Sequence, residues 1–374
     1  MTTELAQDHH SGLIAYLKLM ALHGASDLFL SVGVAPTLKI QGALRHLNMP
    51  ALPPGAVKSL AESILSGSQK EKFERELECD FAVALKDTGR YRINLFVQRG
   101  QVAMSVRYVK FQIPTIEQLC LPPLIGELAM EKRGLILAVG AAGAGKSTTL
   151  AAMLEYRNQH AEGHILTVED PIEYLHKHRK CIINQREIGL DTHSYKEALS
   201  HALRESADVI MIGEIRDLDT MQHALNYADT GLLCISTLHA NNAYEAIERI
   251  LSFYPDEARR QVLLDLSMNL RAVIAQRLIR GKQERLVPAV EVMLLTSRIS
   301  DLVRRGQVDL IRDAIAKSVE SGVQTFDQSL YDLYVKGMIS MEQAIENADS
   351  KTDLALRIRL ATHQNPDISS LEIR

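Results

Sequence analysis

Residues 140–147 carry the sharpest chemical signal in this chain. Gly140, Gly143 and Gly145 lead into Lys146, Ser147 and Thr148, a spacing that fits GxxxxGK[ST]. Glycines let backbone N–H groups, that of Ala144 among them, converge on phosphate oxygens, and a helix starting there adds its positive dipole end. Lys146 is placed for the β- and γ-phosphates, and the Ser147 hydroxyl for Mg2+. A short apolar run at 135–139 precedes the loop and a helical pattern follows it, the context that separates this motif from a chance glycine-rich turn. No N/T-K-x-D guanine-reading segment accompanies it, so ATP is the expected nucleotide.

Phosphoryl transfer also needs groups for the metal and the attacking water. Three segments offer them, each just after an apolar run, where open α/β sheets place ligands. Glu169, Asp170 and Glu173 follow the run at 165–168. Glu214 follows 209–212. Gly213 stands where a Walker B strand usually carries Asp, so Glu214 must supply the charge, and Asp208 reads as a strand-entry residue. His239 follows 232–236, placed to donate to a γ-phosphate. Taken singly, each has a plainer reading: a solvated acidic turn closed by Pro171, a surface glutamate, a hydrogen-bonded structural histidine.

The elements that must position these groups read as α/β. The apolar runs lack alternation, as strands buried on both faces of a parallel sheet do. Helical patterns lie between them at 147–160, 195–205 and 219–229. Upstream, to about Phe111, the chain reads as a separate α+β domain. A helix is expected at 13–23 and a mostly helical stretch at 56–77, with strands at 28–32, 37–40, 80–85, 91–98 and 102–109. Residues 112–118 are the expected linker, and Thr115 with Gln118 forms a capping box that predicts a new helix. The ATPase domain is expected over 119–374. After Pro255 the pattern turns helical, with Leu263, Leu266, Leu270 and Val273 on one face and capping boxes at Thr325/Gln328 and Ser340/Gln343.

Two domains suit 374 residues. A formal charge of −4 shows no excess of Lys and Arg for a broad nucleic-acid surface. No apolar run approaches the roughly 18 residues that span a bilayer, and residues 1–12 lack signal-peptide order. The expectation is a cytoplasmic protein with no integral membrane segment and no nucleic-acid partner. Cys79, Cys120, Cys181 and Cys234 form no CxxC pair and read as small core residues.

Together these segments resemble the secretion-type ATPases that power type IV pili and type II secretion, and within them the PilT/PilU family of pilus-retraction motors of twitching motility. The Walker A loop, an Asp box at 169–173, an atypical Walker B at 213–217 and a His box at 230–239 stand in family order. The resemblance runs from 24–27 to 324–328. It implies a PAS-like N-terminal domain, a RecA-like ATPase domain with a helical C-terminal part from about 256, and hexameric rings. It implies Glu169 as the candidate for orienting water and Glu214 as the metal-side acid, with the two roles exchangeable, and His239 near the phosphates. Arg92 and Arg107 match family arginines that approach phosphates. It also implies a peripheral place at the inner face of the inner membrane, beside a pilus platform protein. The lack of a tetra-cysteine insertion and of an extra N-terminal domain favours retraction over assembly. Stretches at 156–158, 185–187 and 237–242 are closer to the PilU branch. Two departures stand out. Ala141 and Ala142 replace a hydroxyl-bearing pair, and Ser300 takes the middle arginine of the AIRxxxR signature while Arg304 is kept. The resemblance implies an ATP-hydrolysing hexameric motor for pilus retraction, homomeric or assembled with a PilT-type paralogue, and Ser300 points to a PilU-like member acting with that paralogue; the alternative is an ATP-binding ring subunit of structural or regulatory role.

Overall fold

A computed structural model describes residues 9–40, 42–85, 88–109, 112–282 and 286–364. They form two compact units. One ends at Gln112 and includes Glu173–Leu175; the other comprises Ile113–Ile172 and the chain from His176. Phe111, the expected end of the first domain, and residues 1–8 lie outside the described residues.

In the first unit, α1 (His9–Leu22) turns Leu13, Leu17 and Met20 onto one buried face. It stops before Gly24, whose φ of 60° suits glycine. There follow β1 (Asp27–Leu30), β2 (Thr37–Ile40), β3 (Ala43–His46), α2 (Ala56–Glu62), α3 (Gly67–Glu76), β4 (Glu78–Leu85), β5 (Gly89–Gln98) and β6 (Gln101–Val109). The strands make one sheet in the order β3-β2-β1-β6-β5-β4, every pair antiparallel. β5 buries Tyr91, Ile93 and Leu95 in strict alternation, and the Tyr91 hydroxyl donates to Leu17 O at 2.8 Å. β3 is absent from the expected strands because all four of its residues are exposed. The stretch at 56–77 is two helices, since Ser66 opens α3 with its own capping box to Gln69.

The second unit runs α4 (Leu124–Ala129), β7 (Gly134–Val139), α5 (Lys146–His160), β8 (Gly163–Glu169), β9 (Cys181–Glu187), α6 (Tyr195–Ala202), β10 (Val209–Ile212), α7 (Leu218–Asp229), β11 (Leu233–Leu238), α8 (Ala243–Ser252) and α9 (Asp256–Asn269). It continues with β12 (Leu270–Arg280), β13 (Leu286–Leu294), α10 (Ser297–Arg304), α11 (Ile311–Ala316), α12 (Phe326–Val335), α13 (Met341–Glu346) and α14 (Lys351–Gln364). The seven-stranded sheet has the order β13-β12-β7-β11-β10-β8-β9, parallel except for the β12–β13 pair. Every residue of β7, β10 and β11 is buried, because helices cover both faces. The fold is α/β with a mixed sheet.

Three expectations are corrected here. The region after Pro255 is not purely helical: β12 and β13 follow α9 and extend the sheet, and Leu270 and Val273 belong to β12 rather than to a helical face. The Thr115/Gln118 box forms in both directions, at 2.9 and 3.2 Å, but closes a single turn. Cys120 there has φ 57°, and Pro122 and Pro123 supply no N–H to continue a helix. The stretch at 185–187 is the end of β9, the strand at one edge of the sheet. Cys120 is exposed, whereas Cys79, Cys181 and Cys234 are buried. Among the described residues no helix is long and apolar enough to cross a membrane.

Candidate active site

The loop between β7 and α5 is built on three glycines with positive φ, Gly140 at 150°, Gly143 at 76° and Gly145 at 90°. Two of them are also crowded. A Cβ on Gly140 would lie 2.5 Å from the Gln276 carbonyl oxygen, and one on Gly145 would lie 2.7 Å from Gln276 Nε2. Gln276 is a buried residue of β12, and its Oε1 accepts from the Thr149 hydroxyl at 2.7 Å. The loop is thus clamped from below by one residue, through its backbone carbonyl and its side-chain amide, and only glycine lets the backbone come that close.

Lys146, the first residue of α5, is folded back on the loop. Its Nζ donates to Gly140 O at 2.8 Å and Ala141 O at 2.9 Å. Burial lowers its ammonium pKa, and Glu214 acts in the opposite direction. Ala144 is buried, while Ser147 faces solvent and Thr148 is half-buried at the helix start.

Glu169, Glu214 and His239 sit at or just past the ends of β8, β10 and β11. Glu169 is buried, and its Oε1 accepts from Thr167 Oγ1 at 2.7 Å and Gln185 Nε2 at 3.2 Å. Glu214 shares its two oxygens: Oε1 lies 2.7 Å from His239 Nε2, and Oε2 accepts from Arg216 Nε at 2.6 Å. Arg216 also reaches Asp170, at 3.8 Å. Lys146, Glu214, His239, Arg216 and Asp170 therefore form one charge cluster beside the loop. Gly213 has a steric reason for standing where Asp is usual. A Cβ there would meet Tyr195 Oη at 2.9 Å and Glu169 Cα at 3.2 Å, so glycine lets the ends of β8 and β10 meet. Burial, then Asp170, raise the Tyr195 phenol pKa, so it stays protonated in the cluster.

Arg92 and Arg107 lie in the first unit as directly opposed neighbours on β5 and β6. Arg107 Nε donates to the buried Asp27 at 2.9 Å, which ties it to its own sheet. The stretch at 156–158 serves packing: Arg157 donates to Ala129 O, at the end of α4, and to Glu131 O just past it, and Asn158 braces the 177–181 loop. Ser300 donates to Ser267 O at 2.7 Å, fastening α10 to α9, and Arg304 pairs with Asp301 on its own helix.

Sequence reasoning missed Gln276, Arg216 and Tyr195 as site residues, and took Gln185 only as a branch marker. Arg216 lay within the quoted Walker B segment, and its charge two residues from Glu214 was the available signal. Two cavities flank the loop. One of about 480 Å3 takes in Gly140, Ala141 and His239; the other, about 220 Å3, lies against Gly145, Thr148 and the apolar Leu278, Val287 and Pro288. Ser147 and Glu214, the residues expected to hold a cation, both offer hard oxygen, and in this structure the Glu214 oxygens face His239 and Arg216. Among the described residues no group of three or more His, Cys, Asp or Glu could hold a metal alone. That fits an ion which relies on phosphate and water for its remaining ligands.

Residues 121–346 match the family described as type II/IV secretion system protein. The type IV pilus ATPase PilU of Pseudomonas aeruginosa is 46% identical over 359 residues, covering 95% of this chain and 94% of that one. The type IV pilus retraction ATPase PilT of the same organism is 40% identical over 332 residues, covering 89% and 96%. The crystal structure of the pilus retraction motor PilT with bound ADP matches with a TM-score of 0.84 at 40% identity, over 90% of this chain and 98% of that one.

Proposed function

The chain belongs to the type II/IV secretion system protein family, and from that membership we propose that it is an ATP-hydrolysing motor for type IV pilus retraction, of the PilU kind. The observation that carries the reading is the clustering of Lys146, Glu214 and His239 beside a glycine loop clamped by Gln276. The base of ATP would occupy the smaller cavity beside Thr148, and its terminal phosphates would face the larger one beside His239. Incoming phosphates exchange places with the Gly140 and Ala141 carbonyls as partners of Lys146, whose charge then opposes that on the β- and γ-oxygens. Glu169, oriented by Thr167 and Gln185, is assigned to hold the attacking water. Glu214 and Ser147 would hold Mg2+, which supplies charge neutralisation at the β- and γ-phosphates when bound. His239 donates toward the γ-phosphate, and loss of that phosphate returns it to Glu214. Gly140, Gly143, Ala144, Gly145 and Thr148 contribute the backbone cradle.

The first unit, with its single antiparallel sheet, is assigned as a PAS-like domain over 1–111. Residues 112–118 are the linker, and 119–374 the RecA-like domain. Arg92 and Arg107 are assigned to the phosphates as charge-stabilising arginines. The working form is a hexameric ring, homomeric or built with a PilT-type paralogue. It docks peripherally at the cytoplasmic face of the inner membrane on the pilus platform protein and binds no nucleic acid.

The decisive experiment is steady-state ATP turnover of the purified protein, alone and mixed with a PilT-type paralogue. Turnover that Glu214→Ala abolishes is expected in one arm or both. Its absence from both would leave the alternative, a ring subunit that binds ATP for a structural or regulatory role. Ser300 favours that second reading to this extent: an inward hydrogen bond stands where the family signature has a guanidinium. Turnover that appears in the mixture alone would place the protein as a paralogue-dependent motor.

A further inference from the structure

Two carboxylates pin the segment that follows His239. Glu245 is the nearer: its Oε2 accepts from Asn241 N at 3.0 Å and Asn241 Nδ2 at 2.8 Å, and its Oε1 from Asn242 Nδ2 at 3.1 Å. The other arrives from far along the chain. Glu291, on β13, accepts through Oε1 from Ala243 N at 2.9 Å. Ala243 opens α8, so its amide is one of those a helix leaves without an internal partner. The N-cap residue Asn242 serves Glu245 N instead, at 2.9 Å.

Glu291 is 3% exposed, and Ala289, Val290, Val292 and Met293 beside it are buried apolar residues. Burial pushes its carboxyl up to about 7; the Ala243 amide pulls it down, Asp349 adds to the rise, and Arg277 and Arg312 oppose it. Both arginines have other carboxylate partners, Asp349 for Arg277 and Asp327 for Arg312. An apolar side chain would sit in such a strand at lower cost. What Glu291 contributes is position. It faces Ala275 across the β12–β13 register, next to Gln276, the residue under the phosphate loop. One strand pair therefore fixes both the loop and the stretch of chain behind His239.

We propose that Glu291 is a positioning residue for ATP hydrolysis, holding Ala243 so that the 239–243 segment keeps His239 against Glu214. The proposal rests on the ATPase reading above. Glu291→Asp withdraws the acceptor by one methylene, and Glu291→Ala removes it. A misplacement of about 1 Å can cost on the order of 100-fold in rate, so kcat should fall at least about tenfold in Glu291→Asp, with KM for ATP within about twofold. Glu291→Gln keeps a carbonyl acceptor and should recover most of kcat. In a His239→Ala background the Glu291→Asp loss should vanish, because the residue acts through that side chain. Wild-type kcat in folded Glu291→Asp, a loss carried by KM, or the same loss without His239 each overturns the proposal. Hydrogen exchange at the Ala243 amide, read without nucleotide, separates this from the ATPase reading. Faster exchange in Glu291→Asp supports the placement, and unchanged exchange overturns it even if the wild type hydrolyses ATP. A wild type with no turnover in any mixture would sink the ATPase reading instead. Should Glu291→Ala fail to fold, the Asp and Gln variants decide.

Discussion

The four central parallel strands β7, β11, β10 and β8 and the antiparallel pair β12–β13 belong to one sheet but serve the site in different ways. The parallel strands present the candidate site groups at their C-terminal ends: the phosphate loop, His239, Glu214 and Glu169. The pair delivers none of these. From mid-strand, Gln276 presses under the loop and Glu291 holds the start of α8. Chemistry sits where a strand stops, and bracing sits where a strand continues. Substitutions at the two places should therefore fail differently, the first by removing a functional group and the second by loosening the structure that places it.

The largest separation is expected at Lys146. Lys146→Ala should lower ATP turnover by at least about 100-fold, measured as phosphate release at saturating ATP. Comparable turnover in that variant would erase the distinction between strand-end and mid-strand residues. Next comes a pH effect confined to the brace. The folded-state pKa of Glu291 lies above that of an unfolded glutamate, so the native state holds the extra proton between about pH 4.5 and 7. The stability this group allows is full below about pH 4.5, declines as pH rises to about 7 and is flat above it, a loss on the order of 3 kcal/mol. Glu291→Gln should remove that decline, seen as a melting midpoint that gains on wild type as pH rises. Parallel curves would deny the brace its titration.

Gly213→Ala follows, at about 1–3 kcal/mol, because the new methyl meets Tyr195 Oη and the Glu169 backbone. Adding Tyr195→Phe should return part of that loss in a denaturant titration, and no rescue would locate the crowding elsewhere. Smallest is Gln276→Ala, which leaves the Thr149 hydroxyl, 1% exposed, without its acceptor. It should cost about 1–2 kcal/mol. It should also raise KM for ATP more than it lowers kcat, and the reverse split would move Gln276 into the reacting set.

The same contrast sets what was legible from the chain alone. β7, β8, β10 and β11 announce themselves because burial on both faces favours apolar runs without alternation, and the acids and His239 stand at or just past their ends. β12 is hidden. It follows α9 with no loop between, and Arg271, Gln276, Arg277 and Arg280 interrupt its apolar residues at spacings that read equally well as a helix. Pro288 disguises β13 in a similar way. Gln276 and Thr149 lie 127 residues apart, and Glu291 and Ala243 lie 48 apart. No local spacing connects such pairs, so the brace came into view with the tertiary structure. Of the first unit, the alternating β5 was readable and the exposed β3 was not.

The parallel register has one more outcome. Val209 pairs with Ile165 on one side and Leu233 on the other, and β11 continues in step with β7 up to Leu238 and Val139. The strand ends that carry these groups are thus counted out from shared rungs. Exchange of one aliphatic residue for another inside these strands leaves the count intact. Deletion of a single residue would swing every later side chain to the opposite face and pull the terminal acid inward by about 3.3 Å. Over evolutionary time this part of the chain is free to drift in composition and bound in length, so insertions should collect in its outer loops and spare the runs that end at Val139, Glu169, Ile212 and Leu238.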